Sequence, residues 1–360
     1  MAVYSMEYIR LGQADLKGNI GNRIFVTFLA RDVSVRLQKD KVTKFVVFNM
    51  VDKDVAIEAR VFGASDKVIE AIQEGKVYNG AIDIKPYEKA PQGFSCIVYN
   101  MDFSDTPPEY FADWADRLEE SRDIINNMIG AYYDTYYGQI TYLIITNYWD
   151  RISKWTAASS MHHTQLGGLL THTAEVITLS NIIADFLNDR YGDNFINKPL
   201  LLCSAALHDV GKIFELNVDV LSGKTEYSTH SLLSSHIMDI LTEVDLRARE
   251  LGFGQSKIID DDGNITGQKP EDTVEEEKEA IELLKHCLAA HHGKLEFGSP
   301  ITASVPEAAI LNIADNLSAE MFRYNKNLKS INPGESTTQW INGALAKFYK
   351  DSSKIDNIGD

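Results

Sequence analysis

The sequence predicts a two-part β + α protein, a small N-terminal barrel of strands followed by an all-α helical bundle. The first hundred residues hold short runs rich in β-branched and aromatic residues, separated by turn residues. Thr106-Pro107-Pro108 ends those runs, and helical periodicity takes over from Glu109. At 360 residues the chain has room for two or three domains.

The strands are read at Ile20–Asp32, Lys44–Val51, Val55–Phe62, Val77–Lys85 and Phe94–Asp102. Asp52-Lys53-Asp54 joins the second to the third, and Pro86 to Gly93 form a loop before the last. Between the third and fourth, Ser65–Gln73 reads as a short amphipathic helix with Val68, Ile69 and Ile72 on one side. Three strands, a helix and two strands is the order of an OB-fold barrel. Such barrels stack bases on exposed aromatics set among basic side chains. Phe25, Phe28, Phe45, Phe48 and Tyr87, near Arg23, Arg31, Lys44 and Arg60, are the candidates, against a barrel-core reading for the phenylalanines.

Helices follow at Asp113–Tyr137 and Gln139–Thr156, both rich in tyrosine and tryptophan that suits packing. Further helices are read at Gly168–Tyr191, Pro199–His208, Ser231–Glu250, Val274–His292 and Pro306–Asn325. A polar tail starts at Asn327, with one short helix at Thr338–Tyr349. The expected division is a barrel at 1–105, a helical connector at 106–160, the helical domain at 161–326 and the tail at 327–360. Neither Leu166-Gly167-Gly168 nor Gly252-Phe253-Gly254 has the strand-before, helix-after setting of a phosphate loop.

A composition of 44% hydrophobic and 24% charged residues suits an ordinary soluble protein. No apolar run approaches the ~18 residues of a membrane span, and the N-terminus does not resemble a signal peptide. Cys96, Cys203 and Cys287 lie far apart without CxxC spacing, so they read as buried thiols in a cytoplasmic, reducing setting. The net charge of −17 argues against an extended basic track for nucleic acid. It is uneven, however: residues 1–103 carry 14 Lys/Arg against 13 Asp/Glu. Much of the acidic excess lies in Asp260–Glu279, which reads as a solvated loop.

The most informative pattern is an ordered series on successive helical segments: His172, His208-Asp209, His236, His291-His292 and Asp315. Imidazole and carboxylate together bind manganese, iron, zinc and, less well, magnesium. Taken singly, each histidine reads as a core or surface residue. Taken in order, the series reads as a ligand set. His208 and Asp209 end an apolar helix, where Val210-Gly211 turns the backbone and lets both reach one ion. Asp315 sits in the apolar run Ile310–Leu317 and needs a partner there. His172, His208, Asp209 and Asp315 make one shell. His236, His291 and His292 make a second, with Asp209 between them. His230 competes with His236, which is preferred.

The flanking sequences extend this. His162-His163-Thr164-Gln165-Leu166-Gly167-Gly168-Leu169-Leu170-Thr171-His172-Thr173, Ala206-Leu207-His208-Asp209-Val210-Gly211-Lys212, His291-His292-Gly293-Lys294-Leu295-Glu296-Phe297-Gly298-Ser299-Pro300 and Ala314-Asp315-Asn316-Leu317 surround the members of the series. They resemble the motifs of the YhaM-type 3′→5′ exoribonucleases, a family with an OB-fold before an HD-domain metal-dependent phosphohydrolase. The resemblance spans about residues 15–325, with specific motifs between 160 and 320. Two departures stand out: Ser235 where the family pattern expects glycine, and a longer, more acidic Gly252–Glu279 segment.

The resemblance implies an enzyme that removes nucleotides from the 3′ end of single-stranded RNA, with single-stranded DNA as an alternative substrate. It implies two divalent cations, manganese first, with magnesium, iron or zinc as alternatives. These would activate a water for in-line attack on phosphorus. Asp209 and Lys212 then carry the catalytic roles, and Lys212, Lys294 and His163 contact substrate. The alternative reading keeps the chemistry on a nucleotide or cyclic dinucleotide, with the barrel used for assembly or regulation. A homo-oligomer is compatible with either reading, and no membrane partner is expected.

Overall fold

The structure is a computed structural model that describes residues 7–53, 55–88, 92–158, 163–221, 223–259, 263–329, 331, 335–341 and 346–351. It divides into two units, Met1–Trp114 with Val218–Lys224, and Ala115–Asn217 with Thr225–Asp360.

The first unit is a closed barrel. Its elements are β1 (Ile9–Arg10), β2 (Arg23–Leu37), β3 (Lys44–Asp52), β4 (Val55–Phe62), α1 (Asp66–Ala71), β5 (Val77–Pro86) and β6 (Phe94–Phe103). The strands run in the order β2-β3-β4-β6-β5, and β5 pairs back onto β2 to close the ring. Only β4 and β6 pair in parallel within it, and the two-residue β1 adds to β2 from outside. This is the OB-fold topology that the strand order predicts. Alternation does the sorting: Val26, Phe28 and Ala30, then Val46, Phe48 and Met50, then Cys96 and Val98 point inward and are buried. A bulge between Arg31 and Ser34 bends β2, and the Glu74 carboxylate accepts the freed amides of Asp32 and Val33. Phe28 and Phe48 therefore leave the group of candidate stacking residues, because they are core and stack on each other at 5.8 Å.

The second unit is helical, with α2 (Leu118–Tyr132), α3 (Tyr136–Ile152), α4 (Gly168–Tyr191), α5 (Lys198–Leu207) and α6 (Lys212–Glu215). The short strands β7 (Leu216–Asp219) and β8 (Lys224–Tyr227) pair with each other. Then come α7 (His236–Glu250), the hairpin β9 (Lys257–Ile259) and β10 (Ile265–Gln268), α8 (Glu271–Ala290) and α9 (Pro306–Lys329). One core unites these helices: Ile125 and Ile144 pack in the same cluster as Leu169, Leu201, Val244, Leu284 and Leu311. Polar ends are satisfied locally. Asn197 caps α5 through the Leu200 amide, and Ser235 caps α7 through the Met238 amide.

Two expectations are corrected. The acidic run after residue 259 is not a plain loop, because Ile265–Gln268 is a strand and Glu271 already starts α8. Acidic residues suit a helix's first turn, where they face the positive end of its dipole. Thr338–Tyr349 is not helical at its described residues. Thr337 bridges Tyr349 and Ile341 bridges Ala346 in antiparallel fashion, while 342–345 lie outside the described residues.

Candidate metal centre

Five elements of the helical unit bring side chains to one place. His172 lies in the second turn of α4 and is fully buried. His208 and Asp209 follow the last residue of α5, and Val210-Gly211 turn the chain into α6. Gly211 is required there, since a Cβ would sit 2.0 Å from the His236 carbonyl oxygen. That close approach brings Asp209 beside the first residue of α7. His291 and His292 follow the end of α8, and Asp315 comes from α9.

The histidines form two groups. His172, His208 and Asp315 place one ligand atom each within 4.8 Å of one another, and so do His236, His291 and His292. Asp209 faces both. Its Oδ2 is 3.4 Å from His172 Nε2 and 3.5 Å from His208 Nε2. Its Oδ1 is 3.9 Å from His236 Nε2 and 4.0 Å from His291 Nε2.

The donors fit cations. Each of the five histidines has its Nδ1 tied to an oxygen: His208 to Ala205 O at 2.8 Å, His291 to Leu288 O at 2.7 Å and His292 to Phe297 O at 2.9 Å. His236 meets Glu215 Oε2 at 3.1 Å and His172 meets Ser318 Oγ at 2.9 Å. At His208, His291 and His292 the partner is a carbonyl, which only accepts, so Nδ1 carries the hydrogen and Nε2 presents its lone pair inward, as in metal-binding histidines. The buried Nε2 atoms of His236 and His291 make no hydrogen bond among the described residues, which is costly unless something else meets them.

The electrostatics agree. Burial alone would raise the Asp209 carboxyl, but Lys212 and the neighbouring histidines hold it well below the usual carboxylate range. Burial opposes the imidazolium of His172, and hydrogen bonds to Asp209 and Asp315 outweigh that, raising it to about 9. The first group thus draws positive charge. Burial, then His292, His208 and His236, push His291 well below the usual imidazole range, so His291 offers neutral nitrogen.

All seven residues of the predicted series meet here. His230 does not; its Nε2 lies 2.9 Å from Asp239, away from both groups. Lys212 is mostly buried with Nζ 2.7 Å from Asp209 Oδ2. His163 is buried, its ring 5.1 Å from that of His172 and 4.2 Å from that of Phe322. Lys294 lies outside both groups, with Nζ 3.4 Å from Glu296. His162 lies outside the described residues. Sequence reasoning missed Glu215, Ser318 and Glu175. The last two had a signal: Ser318 lies three residues after Asp315 and Glu175 three after His172, each on its ligand's face of the helix.

A helical unit with this ligand order is an HD domain, and residues 169–320 match the HD domain family. Over most of its length the chain is also similar to proteins named 3'-5' exoribonuclease YhaM. It is 28% identical to the one from Bacillus subtilis (strain 168) and 26% identical to the one from Bacillus velezensis, each over 85% of this chain and 88% of the relative. A third, from Listeria monocytogenes serotype 4b, is 31% identical over 64% of each chain. By these likenesses residues 169–320 form an HD domain, and the chain as a whole resembles the YhaM-named proteins. Among the described residues no helix is long and apolar enough to cross a membrane.

Proposed function

We propose that the chain is a metal-dependent phosphodiesterase that removes nucleotides one at a time from the 3′ end of single-stranded RNA. The single observation that carries the chemistry is the Asp209 carboxylate, with one oxygen toward each histidine group. His172, His208 and Asp315 would hold one divalent cation, and His236, His291 and His292 another, with Asp209 common to both. Such a pair supplies an activated water and charge stabilisation for in-line displacement at phosphorus.

The chain's own residues do the rest. Lys212 keeps Asp209 ionised and puts a buried ammonium beside the centre, where it would meet a phosphate oxygen. His163, and Lys294 at greater distance, are the further substrate contacts proposed. Manganese suits a set of five imidazoles and two carboxylates better than magnesium, which prefers oxygen.

The RNA substrate rests on the relatives' names and on the barrel's outer face. There the cross-strand row Arg36–Phe45–Phe62 carries a stacked phenylalanine pair, 5.5 Å between rings, with Phe62 half exposed. Arg60 lies over the Tyr87 ring nearby. This is the sequence-tolerant surface that single strands use. The net charge of −17 favours a second reading, hydrolysis of a free nucleotide or cyclic dinucleotide, which needs no extended basic track.

One experiment separates them. With manganese, 5′-labelled RNA is expected to shorten stepwise, and RNA with a blocked 3′ end to stay intact. Turnover of free nucleotides without RNA shortening would replace the first reading by the second.

A further inference from the structure

Helix α9 presents three polar side chains at three-residue spacing on one face: Asn312, Asp315 and Ser318. Asp315 belongs to the first histidine group. The other two belong to neither group, yet each hydrogen-bonds a group member's backbone or ring. Asn312 Nδ2 donates to the carbonyl oxygen of His291 at 2.7 Å. It packs so closely on the turn after His292 that a Cβ at Gly293, where φ is +77°, would lie 2.7 Å from Asn312 Oδ1. Ser318, fully buried, donates its hydroxyl hydrogen to Glu175 Oε2 at 2.6 Å. Its oxygen then accepts from His172 Nδ1 at 2.9 Å, which leaves His172 Nε2 facing Asp209 and Asp315.

We infer that Asn312 and Ser318 are positioning residues, each serving one cation site: Asn312 the His236–His291–His292 site, Ser318 with Glu175 the His172–His208–Asp315 site. Helix α9 is then a common beam that holds both sites in register about Asp209. The physical reasons differ. A carbonyl after a helix end has no intrahelical partner. Asn312 supplies one for His291, and so fixes the short turn that carries two ligands at once. At His172 the matter is the tautomer. Serine both donates and accepts, so only its hydrogen bond to Glu175 makes it an acceptor for His172 Nδ1–H. Without Glu175 the hydroxyl can turn and donate to Nδ1 instead, which would move the imidazole hydrogen to Nε2 and block that ligand atom. Outer hydrogen bonds of this kind change metal affinity by about 10- to 100-fold.

The inference rests on the two-site reading above, and manganese binding tests the two separately. Free Mn2+ is followed by its electron paramagnetic resonance signal during titration of the full chain, with no substrate present. The intact chain is expected to bind two ions, and Asp315→Ala and His292→Ala one each. In the Asp315→Ala background, adding Asn312→Ala should weaken the remaining ion by about 10-fold or more, while Ser318→Ala should leave it unchanged. In the His292→Ala background the pattern should reverse. Glu175→Ala, at a half-exposed side chain, should reproduce the Ser318→Ala effect without a change in the buried core. Unchanged affinities in these double variants would overturn the inference while leaving two sites standing. A single ion bound by the intact chain would remove the two-site reading, and the inference with it.

Discussion

Asp209 bears the most at the scale of single residues. Its carboxylate is the only group placed toward both histidine sets among the described residues, and it is also the counter-charge for Lys212, whose side chain is 13% exposed. Replacing it therefore has two separable effects. Asp209→Asn keeps the shape and should abolish turnover on RNA. Asp209→Ala should do the same, and because both variants remove the counter-charge of a buried ammonium, each should also lose about 3–5 kcal/mol of stability. Adding Lys212→Met to Asp209→Ala should restore the denaturant midpoint without restoring turnover. Recovery of activity in that double variant would refute the role given to Asp209. His172 gives a pH prediction for the metal-free protein. Its folded value, raised to about 9 from 6.5, means its contribution is complete below pH 6.5 and lost as pH rises through 9. Denaturant melts in chelator should show stability falling across that window. Asp315, held below its usual range, loses its contribution only as pH falls through the carboxylate region, so the two effects do not overlap. Flat stability from pH 6.5 to 9 would exclude a proton shared between His172 and the carboxylates.

Elements explain why the site was readable. The ordered series could be found because most of its ligands stand at or near a helix end, several next to a glycine: Gly168 before His172, Gly211 after Asp209, Gly293 after His292. The barrel was readable for a similar reason, since strand alternation and the intervening helix define its closure. What stayed hidden depends on contacts between distant elements. No local pattern couples Glu215 to His236 or Asn312 to the His291 carbonyl, because those pairs exist only once α6 meets α7 and α8 meets α9. The tail between Thr337 and Tyr349 misled for the opposite reason. Its apolar spacing suits a helix, yet Phe348 stacks on Tyr324 of α9 at 4.0 Å and tertiary packing decides. Gly211 yields the prediction proper to this scale. Gly211→Ala would push a methyl group into the His236 carbonyl, separating the α5–α6 turn from α7. The expected result is a loss of about 1–3 kcal/mol together with loss of activity. A stable, fully active Gly211→Ala protein would show that Asp209 and His236 need not be held together.

For the whole molecule, the division of labour follows from where the candidate ligands lie. All seven belong to the helical unit, contributed by α4, the end of α5, α7, the end of α8 and α9, and none comes from the barrel. Cations bound there would tie five elements far apart in sequence to common points, acting only on the folded state. Such linkage stabilises by about 2.7 kcal/mol at a ligand concentration of 100 Kd. The barrel, with its own core of Phe28, Phe48, Ile82 and Phe94, receives no such tie. Amide hydrogen exchange reads this segment by segment. Adding manganese to chelator-treated protein should slow exchange in α4, α5, α7, α8 and α9 and leave β2 to β6 at their former rates. Adding a short single-stranded RNA with a blocked 3′ end should instead protect β3 and β4, where Phe45, Phe62 and Arg60 lie. If manganese protected the strands and not the helices, the ligand set would be wrong. If RNA protected only the helices, the barrel face would not be the strand's platform, and the small-nucleotide reading would gain the ground it loses otherwise.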